Sequence, residues 1–433
     1  MLEQTIELFK TAAEMGLNLK NIFALGKVYS NSAPVIETLR NMGVTVVESA
    51  IPNAGQFHPT VERDTHRLWQ VAAEALGRRQ IRRVLVLDDG GVCITSTPSQ
   101  ILQRYAVAGV EQTSLGMFLF EEKPPPFAVI SWARSAVKLQ IGGPIFSQRF
   151  IEKFNQDFLR GNALQGEQLG IIGMGSIGRA LANLVVRQGN RVLFYDPCSD
   201  AQVPAALIDR VTRVSSLEEL MLRCDYVIGC SGRNPFKNKW PLKHKPGVKL
   251  LSASGGDQEF GPIINDLKGK SDFNVNPHTW DITSEHGPSG PIQVAYLGYP
   301  YNFVSRAREA VPTPVVQIEI GGLLAALVQA RFYLQMIEPT GEQNRGIHRV
   351  APAAQRFVYE TWVKAMKERQ IDIIGVFGYD SALLNSIRND TWFIENSEPH
   401  PGDHYTPLVE LEEKMEQFVS QKCNVRSSTG TGR

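Results

Sequence analysis

The stretch Gln168-Leu-Gly-Ile-Ile-Gly173-Met-Gly175-Ser-Ile-Gly178 constrains the fold more than any other part of the chain. An apolar, β-branched run ends in glycines spaced G-x-G-x-x-G, and a helical pattern, Ser176 to Gly189, begins inside the same motif. A strand must therefore turn sharply into a helix, as at the start of a dinucleotide-binding βαβ unit. The three glycines differ in what they permit. Gly173 makes the tight turn, Gly175 lets backbone approach a pyrophosphate, and Gly178 lets helix and strand pack closely. Ser176 and Ile177 open the helix, whose N-terminus faces the phosphates. The next strand, Arg191 to Asp196, ends in an acid placed to accept hydrogen bonds from both hydroxyls of the adenosine ribose. Pro197, Cys198 and Ser199 bring no cation for a 2′-phosphate, so the expected cofactor is NAD rather than NADP.

The text on either side alternates short β-branched runs with longer helical patterns, which implies parallel sheets. The predicted fold is α/β with two domains, a Rossmann doubly wound parallel sheet and a second α/β substrate domain. The boundaries read as 1–162 for the substrate-type domain, 163–305 for the NAD-binding domain, and 306–433 for a return helix and helical extension packing on the first. Within this scheme Ser99–Ala108 reads as a helix, as do Phe146–Arg160, Thr313–Ile337, Ala354–Arg369 and Leu408–Gln421, and the terminal Arg426–Arg433 as a tail.

Composition narrows the function. Lys plus Arg number 45 against 44 for Asp plus Glu, a formal charge of +1, which offers no basic field for nucleic acid. Five cysteines without a C-x-x-C pair suggest a reducing, cytoplasmic setting, and the apolar stretch Val315–Ala330 carries Gln317, Glu319 and Gln329, too polar for a membrane span. A small-molecule substrate and a homo-oligomer are expected, with no nucleic acid or membrane partner.

Several residues are candidates for chemistry. In Leu87-Asp-Asp-Gly-Gly91 the paired glycines allow close backbone approach, with Asp88 suited to capping the next helix and Asp89 to a pocket. Lys27 stands at a strand end as a substrate contact or a surface lysine. Glu111 suits a pocket carboxylate or a cap. His278, in the segment Asn276–Gly290 with Asp281, Glu285 and His286, is a candidate general base. Pro401 denies His400 and His404 the helical geometry of a metal pair, so no metal is expected.

Four segments together resemble the S-adenosylhomocysteine hydrolase family: Leu87–Gly91, Gly109–Gly116, the glycine motif, and Gly298-Tyr-Pro-Tyr-Asn302. The resemblance implies NAD, one-carbon metabolism, and a substrate domain closing on a Rossmann domain. It assigns Thr113 and Ser114 to the cofactor, with Ser231, Gly232, Ser254, Gly255, Gly256 and Asn302 around the nicotinamide. It places Asp89 in the substrate pocket as an orienting acceptor and Lys138 as the group taking a proton, beside Lys27 and Gln112, which stand where the family keeps His and Glu. Those departures predict poor hydrolysis and retained hydride transfer on a nucleoside-like or other hydroxylated molecule. Two alternatives stay open: a 2-hydroxyacid dehydrogenase-like oxidoreductase using Arg233, Glu259 and His278 or His286, and a non-catalytic, NAD-holding regulatory or scaffolding protein.

Overall fold

The computed structural model describes residues 3–49, 55–159, 164, 166–198, 203–204, 207–303, 313–337, 345–379, 381–397, 413, 415 and 417. The helical pattern at Leu408–Gln421 lies outside these residues save for three, and the tail beyond it entirely.

Among the described residues three sheets organise the chain, a two-stranded and a four-stranded parallel sheet in the first unit and a mixed eight-stranded sheet in the second. In the first unit, β1 (Phe23–Leu25) pairs with β2 (Thr45–Val47), and β3 (Arg83–Asp88), β4 (Ala106–Glu111) and β5 (Ala128–Ser131) lie side by side. The second unit holds β6 (Leu169–Ile172), β7 (Val192–Tyr195), β8 (Val211–Arg213), β9 (Tyr226–Gly229), β10 (Val248–Ser252), β11 (Asn274–Val275), β12 (Ile282–Gly287) and β13 (Gly290–Val294). Its strand order is β11-β12-β13-β10-β9-β6-β7-β8, with β11 to β13 antiparallel and the rest parallel. Strands β6, β9 and β10 are covered on both faces, so Ile171, Ile172, Val227, Ile228, Leu250 and Leu251 are wholly buried, and their sequence shows continuous apolar runs without alternation.

The helix Thr313–Met336 carries the chain back onto β4 and β5, where Ile318, Ala326 and Ala330 are fully buried. Gly322 allows that approach, since a Cβ there would lie 2.1 Å from the Trp132 ring. The chain then adds β14 (Gly346–Arg349) in parallel beside β5, and the helix Pro352–Glu368 packs over the long helix. Gln329 ties the return together, donating to the Arg349 carbonyl at 2.9 Å and accepting from the Ala351 amide at 2.9 Å.

Three segments differ from the sequence expectation. The helix from Ser99 stops at Arg104 and β4 begins at Ala106, because the small residues of Ala106-Val-Ala-Gly-Val110 lie flat beneath the long helix. The histidine-rich segment, read as a loop, is largely the β12–β13 hairpin, in which Ile282 and Ser284 alternate inward. The helix expected at Phe146–Arg160 spans Gly143–Asp157. The carboxyl ends of the four-stranded and eight-stranded sheets meet at a crevice, where loops after β9 and β10 touch side chains that follow β4.

Candidate active site

The glycine motif separates into two packed positions and one open one. Gly173 has φ +91°, and a Cβ there would fall 2.8 Å from the Ser231 backbone; one on Gly178 would fall 2.0 Å from the Gly173 carbonyl oxygen. A Cβ on Gly175, at the start of the helix Ser176–Arg187, meets nothing within 4 Å. The space left is therefore where a pyrophosphate has to come, against the helix N-terminus. The Ser176 hydroxyl donates to the Leu139 carbonyl of the first unit, so toward a phosphate Ser176 and Ile177 have their backbone to offer.

Asp196 accepts from the Met174 amide at 2.6 Å and the Cys198 amide at 2.8 Å. A carboxylate has about four acceptor sites, so the ribose hydroxyls still find lone pairs. Tyr195, Asp196, Pro197, Arg213, Val214 and Ser215 line a 420 Å³ hollow at this end. Arg213, on the neighbouring strand, donates to the carbonyls of Asp196 and Cys198 at 2.8 and 2.7 Å. Reading only the residues after Asp196 missed this cation, which arrives through strand pairing. Asp196→Ala is expected to lower NAD affinity about 10- to 100-fold and to narrow the preference over NADP, as the loss of charge-assisted hydrogen bonds implies. Titration calorimetry with both dinucleotides measures it.

At the other end, the Ser231 amide and hydroxyl both donate to Glu259, at 2.8 and 2.6 Å, and the Gly232 amide donates to the Ser254 hydroxyl at 3.0 Å. First-unit side chains lie directly on these loops. A Cβ at Gly232 would meet Phe118 at 3.1 Å, one at Gly255 would meet Leu115 at 3.5 Å, and one at Gly256 would meet Phe57 at 2.9 Å. Arg233 crosses to Glu121 at 3.0 Å with its guanidinium 4.0 Å above the Phe118 ring. Asp257 accepts from the Phe57 amide at 3.4 Å, at the start of the helix Phe57–Arg78.

On the first-unit side, Asp88 accepts from the amides of Asp89 and Ile94, both at 2.8 Å, and caps the short helix after it. Asp89 instead pairs with Lys27 at 2.5 Å. Glu111 is fully buried and accepts from the Gly90 amide and from the amide and hydroxyl of Thr113. Thr113 in turn accepts from the Gly116 amide at 3.1 Å, so its hydroxyl serves as a helix cap, while Ser114 is exposed and Gln112 half-buried. Lys138 pairs with Glu319 at 2.8 Å, and Glu319 also accepts from the Trp132 indole at 2.9 Å. Asp89 and Lys138 therefore have separate partners, which the sequence did not foresee.

The dehydrogenase trio does not assemble. Arg233 is held by Glu121 and Glu259 by Ser231, and His286 lies at the end of β12 remote from the crevice, 3.1 Å from Asp272. His278 is exposed ahead of β12, at a sheet edge three strands, roughly 14 Å, from β10. The side chain of Asn302, and His400 and His404, lie outside the described residues. Among the described residues no cluster of three or more His, Cys, Asp or Glu could hold a metal ion.

Burial raises several of these acids: Asp88 to about 6 and Asp257 to about 6, with Glu259 to about 7, in each case against hydrogen bonds that favour the anion. Glu111 is pushed well up by burial and then by Asp88. Between pH of about 4 and 7 the native chain thus holds protons that the unfolded chain has released, and stability falls as pH rises through that window. The urea midpoint is expected to be higher at pH 5 than at pH 8.

Comparison with known proteins identifies the second unit. The family model of D-isomer specific 2-hydroxyacid dehydrogenase, NAD binding domain, matches residues 145–236. That segment runs from the helix entering the second unit through the glycine motif and Asp196 to the Ser231–Gly232 loop. The second unit is therefore a Rossmann-type NAD-binding domain, and the cofactor is NAD. The uncharacterized proteins MT0113 and Rv0104 of Mycobacterium tuberculosis are each 28% identical over 306 residues, 70% of this chain and 57% of theirs. D-lactate dehydrogenase kk1H of Curvularia clavata is 32% identical over 123 residues, 27% of this chain and 34% of that protein. Hydroxypyruvate reductase of Thermotoga maritima is 26% identical over 159 residues, 35% of this chain and 48% of that one. The chain spans little more than half the length of the first relatives.

These matches correct the resemblance to S-adenosylhomocysteine hydrolase and the one-carbon role it implied. The matching family is a dehydrogenase family, and the named relatives are a D-lactate dehydrogenase and a hydroxypyruvate reductase. The glycine motif, one of the four segments behind that resemblance, belongs to dinucleotide-binding domains generally.

Proposed function

We propose that the chain is an NAD-dependent oxidoreductase of the 2-hydroxyacid dehydrogenase kind, interconverting a small hydroxy acid and its oxo form. The observation that carries this is the open Gly175 position in an NAD-binding domain whose nicotinamide-end loops are covered by a second unit. Bound NAD supplies the chemistry by accepting or giving up hydride at its nicotinamide ring. The chain's own part is to hold and shield. Gly173–Gly178 and the helix start receive the phosphates, Asp196 fixes the ribose, and Leu115 and Phe118 keep water from the loops at Gly232 and Gly255. We place the enzyme in the cytoplasm as a homo-oligomer; the free thiols of Cys93, Cys198, Cys224 and Cys230 fit a reducing compartment. The test follows NADH absorbance with a panel of 2-oxo acids, and NAD with 2-hydroxy acids. Turnover with at least one pair is expected; NAD binding with no turnover on the whole panel overturns the reading and leaves a cofactor-holding protein.

A further inference from the structure

We infer that Tyr29, braced by Lys27 and Asp89, gives the proton to the substrate oxygen when an oxo group is reduced in this crevice. This rests on the oxidoreductase reading and adds an acid to it, since His278 stands at the sheet edge, His286 lies behind it and His58 is engaged by Gln258.

The chain leaves β1 through Lys27 into a single 3₁₀ turn, Val28–Ser30, which sets Lys27 and Tyr29 at the crevice. Tyr29 is 6% exposed. Its ring lies 5.1 Å from Tyr299 of the second unit and 5.7 Å from Phe57, and its carbonyl accepts from the Tyr296 hydroxyl at 2.9 Å. The Lys27 ammonium lies 5.9 Å from the centroid of the Tyr29 ring, and Gly256 packs on the neighbouring Phe57 ring, which a Cβ there would approach to 2.9 Å. Gly256 belongs to the loop that ends β10, so a proton-bearing first-unit side chain meets the strand ends where a Rossmann sheet holds its ligand. Lys27 sits between this phenol and Asp89, 2.5 Å away, whose side chain is 39% exposed and opens toward solvent.

The charges around the phenol suit an acid. Burial pushes the Tyr29 hydroxyl up and Lys27 pulls it back, so it is protonated at neutral pH. Burial works against the Lys27 ammonium, but Asp89 and Tyr29 outweigh it and hold it above its ordinary range. Among the described residues, Asp88 at the end of β3, His58 from the helix Phe57–Arg78, and Tyr296, Tyr299 and Asp257 from the second unit also face this corner.

In the reduction, NADH held by Gly173–Gly178 and Asp196 would supply hydride to the carbonyl carbon; as the C=O π pair moves onto oxygen, the Tyr29 O–H bond breaks and its proton joins that oxygen. The products are the hydroxy acid, oxidised NAD and a phenolate beside Lys27. Lys27 passes a proton to the phenolate and regains one from water past Asp89.

Two readouts test it. Tyr29→Phe keeps the ring contacts and is expected to lower turnover with a reducible 2-oxo acid about 10²- to 10⁴-fold, with NADH affinity by fluorescence titration changed by less than about threefold. Separately, in protein carrying ¹³C-labelled tyrosine, the resonance that disappears in Tyr29→Phe should titrate at least about one pH unit higher in Lys27→Met than in the native protein, with Lys27→Arg restoring it. Native-like turnover in Tyr29→Phe, or a Tyr29 titration unmoved in Lys27→Met, overturns the proposal alone. A native protein that binds NADH and reduces no 2-oxo acid overturns it together with the oxidoreductase reading.

Discussion

Gly178→Val should remove measurable NAD binding and destabilise the second unit by about 3 kcal/mol, the upper end of ordinary overpacking. Its Cβ would lie 2.0 Å from the Gly173 carbonyl oxygen, so the helix Ser176–Arg187 must lift from β6 or the turn must open. Gly175→Val provides the contrast. Space around Gly175 is open, and its φ of −70° suits any residue, so this variant should unfold at nearly the native midpoint while losing NAD affinity about 100-fold. Calorimetry beside urea denaturation separates the two effects. NAD binding at native strength by Gly175→Val would show that the dinucleotide does not cross this loop.

A second large effect is expected at Glu319. Its side chain is 7% exposed, pairs with Lys138 at 2.8 Å and accepts from the Trp132 indole at 2.9 Å. Glu319→Ala strands an ammonium and an indole N–H between the long helix and the sheet, a loss of about 3 kcal/mol for a broken buried pair. Gly142 underlines how closely the carboxylate is housed, since a Cβ there would lie 2.0 Å from Glu319 Oε1. Pairing Glu319→Leu with Lys138→Met should recover part of the loss, because the uncompensated charge is gone. If Glu319→Ala unfolds within about 0.5 kcal/mol of the native protein, water already serves both groups.

What could be read from the sequence was local. The glycine motif and Asp196 announce themselves because turn, helix start and strand end follow one another within about thirty residues, each with its own residue requirement. The partners of Asp89 and Lys138 could not be read, because Lys27 and Glu319 reach them from 62 and 181 residues away. Arg213 escaped for the same reason, coming to the ribose end by the pairing of β7 with β8. Strand β4 misled for a different one: its alanines favour a helix in isolation, and the long helix above it selects them for size. The β12–β13 hairpin was hidden by glycine, proline and histidine, although Ile282 and Ser284 keep the alternation of a half-covered strand.

The placement of β14 sets an order on how the molecule can be made. All strands of the eight-stranded sheet fall between Leu169 and Val294, so that sheet can close as soon as this stretch has left the ribosome. The four-stranded sheet has to wait. Gly346 pairs with Ala128, a separation of 346 − 128 = 218 residues, so until the last quarter of the chain emerges β5 is a bare parallel edge open to foreign strands. A nascent chain stalled before Gly346 therefore carries a finished nucleotide-binding half joined to an aggregation-prone one, and holding that edge closed during synthesis is the work a chaperone would have to do.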